Sequence, residues 1–360
     1  MVYLSSLGLL YFSWIVETFT RYKGNFFYCL SLLFCGALAV LRGQVGTDTH
    51  NYEVITRSFR DGAGIDGWEP GFIWGVKFLQ VFFSSDSVVI RLVSLCFTLA
   101  LIRLVFKGGR DWRYFIMIFF VPGYFYSYSM NVLRLGLATL MMFYLVVTVI
   151  EGDKRVKAVL FGVAAVLFQY SIIFSLFFIG VTSIKFWQGK RLYWVLATCC
   201  LAIGFLFLKI DYVIFKLNTY SDSEYVNAGG FSGLSIVVVV CIILMGVVFS
   251  NLPRTAKGKL VCLGGGMMLV FYLMAFYSYA GLRLLDLLSI SLALAAVVQH
   301  AQAEEEFNTC FKVSLFLAGL TSALFTAKGF IQFEGVGDSP FLPYHLFGND
   351  CVATVLSICE

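Results

Sequence analysis

Long apolar segments recur along the whole chain and are separated by short polar connections. A membrane-spanning helix needs about 20 predominantly apolar residues. Runs of this kind lie near residues 2–20, 26–41, 87–106, 113–128, 131–150, 192–208, 232–250, 260–280, 282–300 and 312–327. The pattern predicts an all-α, polytopic integral membrane protein, a single membrane domain over residues 1–360 with about 10–12 transmembrane helices.

The composition excludes a soluble protein of this size. Of the 360 residues, 60% are hydrophobic and 13% are charged, which leaves too few polar side chains to cover a water-facing surface. The net charge of +5 comes from small basic groups between apolar runs, so we expect no nucleic-acid partner. The first run lacks a basic leader and a cleavage site, and we expect it to remain as a helix.

The basic residues indicate which side each connection faces, because Lys and Arg collect in short cytoplasmic loops. The clusters are Arg21/Lys23, Arg103/Lys107/Arg110/Arg113, Lys154/Arg155/Lys157, Lys185/Lys190/Arg191 and Arg254/Lys257/Lys259. They share one side only if residues 70–83 form a short re-entrant helix and 158–184 form two short helices. This topology predicts outer loops at 42–86, 209–231 and 328–350. Re-entrant elements are tolerated where they are buried or line a wet cavity, a natural place for an active site.

Arg57 and Arg60 lie in the polar outer segment, where a solvated charge explains them. Four further single arginines lie outside the cytoplasmic clusters, each at the outer end of a predicted spanning helix. They are Arg42, Arg91, Arg134 and Arg283. A charge near the hydrocarbon is costly, and the planar fork of arginine matches phosphate oxygens, so the set predicts a pyrophosphate ligand. For each arginine the alternative is that it reaches the interface or pairs with a carboxylate.

Polar residues on the same side are candidates for the chemistry. The segment from Arg42 to Tyr52 carries two glycines and is predicted to be a binding loop, with Asp48 as a general base or acid. Glu69 is a second candidate. For Asp48 the alternative is an Asx-turn or a helix N-cap. Tyr344-His345 is predicted to reach the site from the carboxy-terminal side, although an interfacial aromatic belt would also explain Tyr344.

Metal and nucleophile motifs are missing from the sequence. Three histidines are present, with no H-E-x-x-H, H-x-x-E-H or D-x-D arrangement, and there is no G-x-S-x-G. We therefore predict no metal requirement and no cofactor.

Several short motifs resemble the EpsG-like branch of the Wzy polysaccharide polymerases. They are Arg42 through Gly46-Thr47-Asp48-Thr49 to Asn51-Tyr52, then Glu69-Pro70-Gly71-Phe72, Asn131 to Ala138 around Arg134, Arg283-Leu-Leu-Asp286 and Pro343-Tyr344. They occur in the family's order over most of the chain. At Gln169-Tyr170-Ser171, family members often have a His, and this chain has none.

The resemblance implies a glycosyltransferase that joins undecaprenyl-pyrophosphate-linked oligosaccharide repeat units of O-antigen, capsule or exopolysaccharide. The reaction would take place at the outer, periplasmic face of the bacterial inner membrane. In this hypothesis two or more of Arg42, Arg91, Arg134 and Arg283 hold the leaving pyrophosphate and neutralise its developing charge. Asp48 or Glu69 deprotonates the acceptor hydroxyl, and Tyr52, Tyr344 and His345 contact substrate. Membrane lipid and a chain-length regulator are the further partners implied. The alternatives are a transporter or flippase of lipid-linked sugars and an O-antigen ligase.

Overall fold

The computed structural model describes residues 2–20, 26–62, 67–152, 155–183, 233–331 and 341–347. Within these ranges every regular element is a helix, and one isolated bridge joins Arg42 to Leu346. The helices are α1 Val2–Thr20, α2 Phe26–Val40, α3 Thr49–Arg60, α4 Pro70–Gln80, α5 Asp86–Lys107, α6 Arg110–Tyr114, α7 Val121–Tyr126, α8 Leu133–Ile150, α9 Arg155–Phe168, α10 Ile172–Thr182, α11 Leu234–Val248, α12 Arg254–Ala275, α13 Tyr279–Ala303 and α14 Thr309–Ile331. The predicted all-α class is confirmed.

Within the described residues, six helices are long and apolar enough to cross a membrane, namely α1, α5, α8, α12, α13 and α14. Four shorter apolar helices, α2, α9, α10 and α11, accompany them. The polytopic membrane class is therefore confirmed. The predicted span at 192–208 and the outer loop at 209–231 lie outside the described residues, as does much of 328–350.

The two sequence runs at 70–83 and 158–184, which were predicted to form short helices, do so. α4 has 11 residues and is about 16 Å long, about half the thickness of a hydrocarbon core. The run at 158–184 is divided into α9 and α10, with non-helical residues at 169–171. The re-entrant placement of these elements in the membrane stays a prediction.

The chain divides into two compact units. The first contains residues 1–145, 159–170 and 323–360, and the second contains 146–158 and 171–322. In the first unit the amphipathic helix α3 buries Tyr52, Thr56 and Phe59 at helical spacing. Tyr52 and Phe59 join a core with Phe72 of α4 and Val89 of α5. This core fixes the polar segment between α2 and α5 against the apolar helices.

The second unit is built around α13, which packs against α10, α11 and α12. Residues 287–300 of α13 are all buried. Gln299 is one of them, and its side-chain amide donates to the backbone carbonyl of Thr182. A helix buried on all faces suits the interior of a membrane bundle, where few side chains can meet lipid.

Candidate functional site

A buried arginine organises the connection that follows α2. Arg42 has 0% exposed surface, so its charge lies entirely within protein. Its guanidinium donates to Thr49 Oγ1 at 3.3 Å, Ser94 Oγ at 3.0 Å, Ser129 O at 3.4 Å, Met130 O at 3.2 Å and the carbonyl of Ala39. Because Nε and both terminal nitrogens have protein acceptors, Arg42 acts first as a structural clamp.

The Arg42 guanidinium binds backbone carbonyls at an irregular helix end. Residues 110–131 form one continuous helical run that includes π turns at Phe115–Phe120 and Ser127–Asn131. At Val132 the backbone leaves the helical region, and α8 begins at the next residue. Such a break leaves the last carbonyls without helical donors. Arg42 serves the carbonyls of Ser129 and Met130, and Ser94 Oγ also donates to Ser129 O at 2.7 Å.

Arg91 extends this network to the backbone of the loop. Its Nε donates to the carbonyl of Arg42 at 2.9 Å, and Nη2 donates to that of Gly43 at 3.1 Å. Nη1 pairs with Glu53 Oε1 of α3 at 2.8 Å. The guanidinium also stacks on Phe347, 4.1 Å from the ring centroid. The structure therefore shows Arg91 paired with a carboxylate, which is the alternative to a pyrophosphate ligand.

Burial, followed by the neighbouring charge of Arg91, lowers the pKa of Arg42 to about 10. The guanidinium stays protonated at neutral pH. The pKa of Tyr52 on α3 is raised, because the effect of burial exceeds that of the nearby Arg134 guanidinium, which lowers it. Tyr52 is therefore a neutral phenol at neutral pH, able to donate a hydrogen bond.

Arg134 lies in the first turn of α8 and pairs with Glu69, which precedes α4. Glu69 has 0% exposed surface. The Arg134 guanidinium also stacks on Trp68, with 4.1 Å between Cζ and the ring centroid. The ion pair and the cation–π contact both restrict the position of Arg134.

A cavity of about 290 Å³ opens beside this pair. It is lined by Asp48, Asn51, Tyr52, Val54, Ile55, Trp68 and Arg134. Asp48 occupies the N-cap position of α3, but its side chain accepts no capping hydrogen bond. Asp48 is therefore the N-cap of α3 by its backbone position, but its side chain does not cap the helix.

At three positions of the sequence motifs, a residue larger than glycine would meet a steric clash. Gly46 has φ of +108°, and a Cβ there would lie 2.6 Å from Asn131 Oδ1. A Cβ on Gly71 would lie 2.8 Å from the backbone oxygen of Leu167, and one on Gly136 would clash with the backbone oxygen of Tyr128. Glycine permits the close approach of backbone at Gly71 and Gly136, and the positive φ at Gly46. The glycines therefore position the loop, α4 and α8 around the cavity.

The predicted carboxy-terminal residues reach the same unit by different contacts. Tyr344 donates its hydroxyl to the carbonyl of Leu38 at 2.8 Å. The backbone carbonyl of His345 accepts from Gly43 N at 2.8 Å, and its side chain is exposed. Neither residue lines the cavity. Their role as substrate contacts stays a prediction.

Arg283 belongs to the second unit, where it lies over the ring of Tyr279 with 5.3 Å to the centroid. The structure thus brings Asp48, Tyr52 and Arg134 together at the cavity. Glu69 does not line it but pairs with Arg134, and Arg42 and Arg91 hold the adjoining loop. The role of Arg283 stays a prediction. Within the described residues, no group of three or more His, Cys, Asp or Glu side chains is placed to hold a metal ion.

Sequence reasoning missed Trp68, Asn51 and Glu53 as site residues. Trp68 directly precedes the Glu69-Pro70-Gly71 motif, and that adjacency was the available signal. Asn51 and Glu53 lie on α3, where helical spacing from Asp48 would have placed Asn51 on the same face. No local pattern pointed to the pairing of Glu53 with Arg91, because 38 positions separate the two residues in the chain.

These features define a polytopic α-helical membrane protein with a polar, arginine-braced cavity beside an amphipathic helix. The family model of the EpsG family matches residues 25–346, nearly the whole chain. The protein therefore belongs to the EpsG family, which supports a polysaccharide polymerase-like function in the membrane. No curated protein sequence and no solved structure matches the chain.

Proposed function

We propose that the protein is a polysaccharide polymerase that joins lipid-linked oligosaccharide repeat units at the outer face of the bacterial inner membrane. The donor is a growing chain on undecaprenyl pyrophosphate, and the acceptor is the next lipid-linked unit. The observation that carries the proposal is the cavity that brings Asp48 and Arg134 together in a chain of the EpsG family.

The reaction is a glycosyl transfer. A hydroxyl oxygen of the acceptor sugar bonds to the anomeric carbon of the donor, and the bond from that carbon to the phosphate oxygen breaks. The electron pair leaves with the lipid pyrophosphate, and the acceptor's proton passes to Asp48 as general base. Of the two predicted carboxylates, Asp48 suits this role better, because Glu69 is fully buried and paired with Arg134.

Arg134 serves as a fixed donor at the cavity. Its position is set by Glu69 and Trp68, so it can bind a substrate oxygen without first paying the entropy of ordering its own side chain. The leaving pyrophosphate still requires positive charge. The sequence predicts that two or more of Arg42, Arg91, Arg134 and Arg283 supply it, and Arg283, which belongs to the second unit, is tested by itself.

The deciding experiment uses the purified full chain in nanodiscs with a lipid-linked repeat unit. Ladders of longer glycans are expected for the unaltered protein. Asp48→Asn and Arg283→Lys should reduce ladder formation by about 100-fold or more, since general-base and charge-stabilising groups contribute on that scale. Asp61→Asn is the matched control, because Asp61 is an exposed carboxylate at the other end of α3.

Two results would contradict the proposal. If the unaltered protein makes no ladder but moves lipid-linked sugar across liposomes, the transporter alternative is supported. If it transfers a single glycan to a non-identical lipid acceptor without extending it, the ligase alternative is supported.

A further inference from the structure

One side of α4 is exposed and apolar, although α4 is too short to span a membrane. Trp74, Phe78 and Val81 follow one another at i, i+4 and i+7, which places their side chains on one face. Their exposed fractions are 62%, 64% and 78%. Phe82, in the turn after α4, is 65% exposed and contacts Phe78 with 5.3 Å between ring centroids. These four side chains are the apolar face of α4, a patch that water would not stabilise.

The opposite side of α4 packs against α5, which is long and apolar enough to cross a membrane. Ile73 and Val76 of α4 lie in one core with Val89 and Val93 of α5. Val89 and Val93 are about 4.5 and 10.5 Å along α5 from its first residue, Asp86, at the rise of an α-helix. A hydrocarbon core is about 30 Å thick. Because α5 crosses it, α4 lies at membrane depth, beside the half of α5 that adjoins Asp86.

The surface of α5 changes farther along the helix. Cys96 lies on the same face as Val89, because the 7 residues between their positions make about two helical turns. Val89 has 0% exposed surface, whereas Cys96 is exposed. The face of α5 that α3 and α4 cover near Asp86 is therefore open toward the middle of the helix. The apolar face of α4 continues the membrane-facing surface that α5 has there.

Two features favour lipid over another protein as the occupant of this face. Interfaces between membrane helices are enriched in small residues that let backbones approach closely, whereas Trp74 and Phe78 are large. Lys77 lies on the same side of α4, three residues after Trp74. In lipid a lysine extends its ammonium group to the water interface, whereas a protein partner would have to bury that charge. The exposed side of α3 has a different character and carries Arg57 and Arg60.

We propose that the apolar face of α4 binds the hydrocarbon chains of bilayer phospholipids. On the other side of the helix, the ring of Phe72 stacks on Trp68 with 5.8 Å between centroids and is tilted against Tyr52. Trp68 and Tyr52 both line the cavity. One helix thus separates cavity-lining residues from the bilayer, a position that suits a lipid-anchored substrate of the proposed function. The lipid contact itself goes beyond that function and does not depend on it.

The first test measures tryptophan fluorescence of the full chain in nanodiscs made with phospholipid brominated in its acyl chains. Bromine quenches an indole that it contacts, so part of the emission should be quenched. Trp74→Phe should remove a large share of this bromolipid-quenched emission. Trp112→Phe is the matched control and should leave it unchanged, because Trp112 has 5% exposed surface. Iodide in the water should not quench the emission of Trp74.

The second test identifies the occupant by photochemical crosslinking in the same nanodiscs. The photoreactive amino acid p-benzoylphenylalanine in place of Phe78 should form phospholipid adducts, which mass spectrometry of the purified chain detects. The matched control has the same amino acid in place of Asp61, which is exposed at the end of α3, and should form none.

Three results would overturn the proposal. Quenching of Trp74 by iodide but not by bromolipid would show that the apolar face of α4 meets water. A crosslinked dimer from position 78, without lipid adducts, would show that a second copy of the chain covers it. Equal lipid adducts from positions 78 and 61 would show that this face has no particular contact with lipid. None of these measurements uses ladder formation, so a failure of the polymerase reaction is distinguished from a failure of the lipid contact.

Discussion

Glu69 and Arg134 form a buried ion pair that joins the residue before α4 to the first turn of α8. Glu69 has no exposed surface, and Arg134 is one of the residues that line the cavity. The pair therefore links the packing of α4 to the position of a cavity residue. Disturbing Glu69 should change stability and site geometry together.

Replacing Glu69 by alanine should destabilise the protein by about 3–5 kcal/mol, because it leaves Arg134 partly buried without its carboxylate. Glu69→Gln keeps a hydrogen-bond acceptor and should cost less. The measurement is the unfolding midpoint of the purified chain in detergent. The exposed Asp61→Asn serves as control. Equal midpoints for Glu69→Ala and Asp61→Asn would show that the pair does not stabilise the fold.

Arg42→Lys should destabilise the first unit by about 1–3 kcal/mol, since an ammonium group cannot serve the acceptors on α5 and the π turn together. Arg57→Lys should change stability by less than about 0.5 kcal/mol, because the Arg57 side chain is 75% exposed. Thermal unfolding compares the two variants. An Arg42→Lys protein with normal stability but no ladder activity would instead indicate that Arg42 contacts substrate.

Gly46→Ala and Gly62→Ala separate backbone strain from steric contact. Both glycines have positive φ, +108° and +74°, so either alanine should cost about 1–2 kcal/mol of strain. A Cβ on Gly62 meets nothing within 4 Å, whereas one on Gly46 meets Asn131. Gly46→Ala should therefore cost more, and Asn131→Ala should recover part of the difference. A double-mutant cycle without any coupling would contradict the contact.

Gly71→Ala and Gly75→Ala should have opposite effects on the same helix. A Cβ at Gly71 would meet the backbone oxygen of Leu167, which cannot move without shifting α9, and we expect a loss of about 1–3 kcal/mol. At Gly75 the nearest atom is 3.9 Å away, so alanine should stabilise the helix by about 0.5–1 kcal/mol. Unfolding midpoints that move in the same direction would refute the close approach of α4 to Leu167.

Much of the fold follows from local patterns in the chain. Apolar runs of sufficient length predict the membrane helices, and their bounds agree with those of α1, α5 and α8 within a residue or two. The shortness of the run at 70–83 and the polar interruption at 169–171 likewise predict the limits of α4, α9 and α10. These features depend on hydropathy along consecutive residues, which a sequence contains directly.

For the candidate site, the sequence determines which residues are unusual, and the tertiary structure determines their partners. Sequence alone determined that Arg42, Arg91 and Arg134 are unusual charges and that Asp48, Tyr52 and Glu69 accompany them. Only the tertiary structure decided that Arg42 clamps carbonyls 87 and 88 positions away, that Arg91 pairs with Glu53, and that Arg134 adjoins the cavity. The physical reason is that a buried guanidinium takes its partners from whichever backbone and side-chain oxygens packing brings near, and packing joins residues that no local pattern connects.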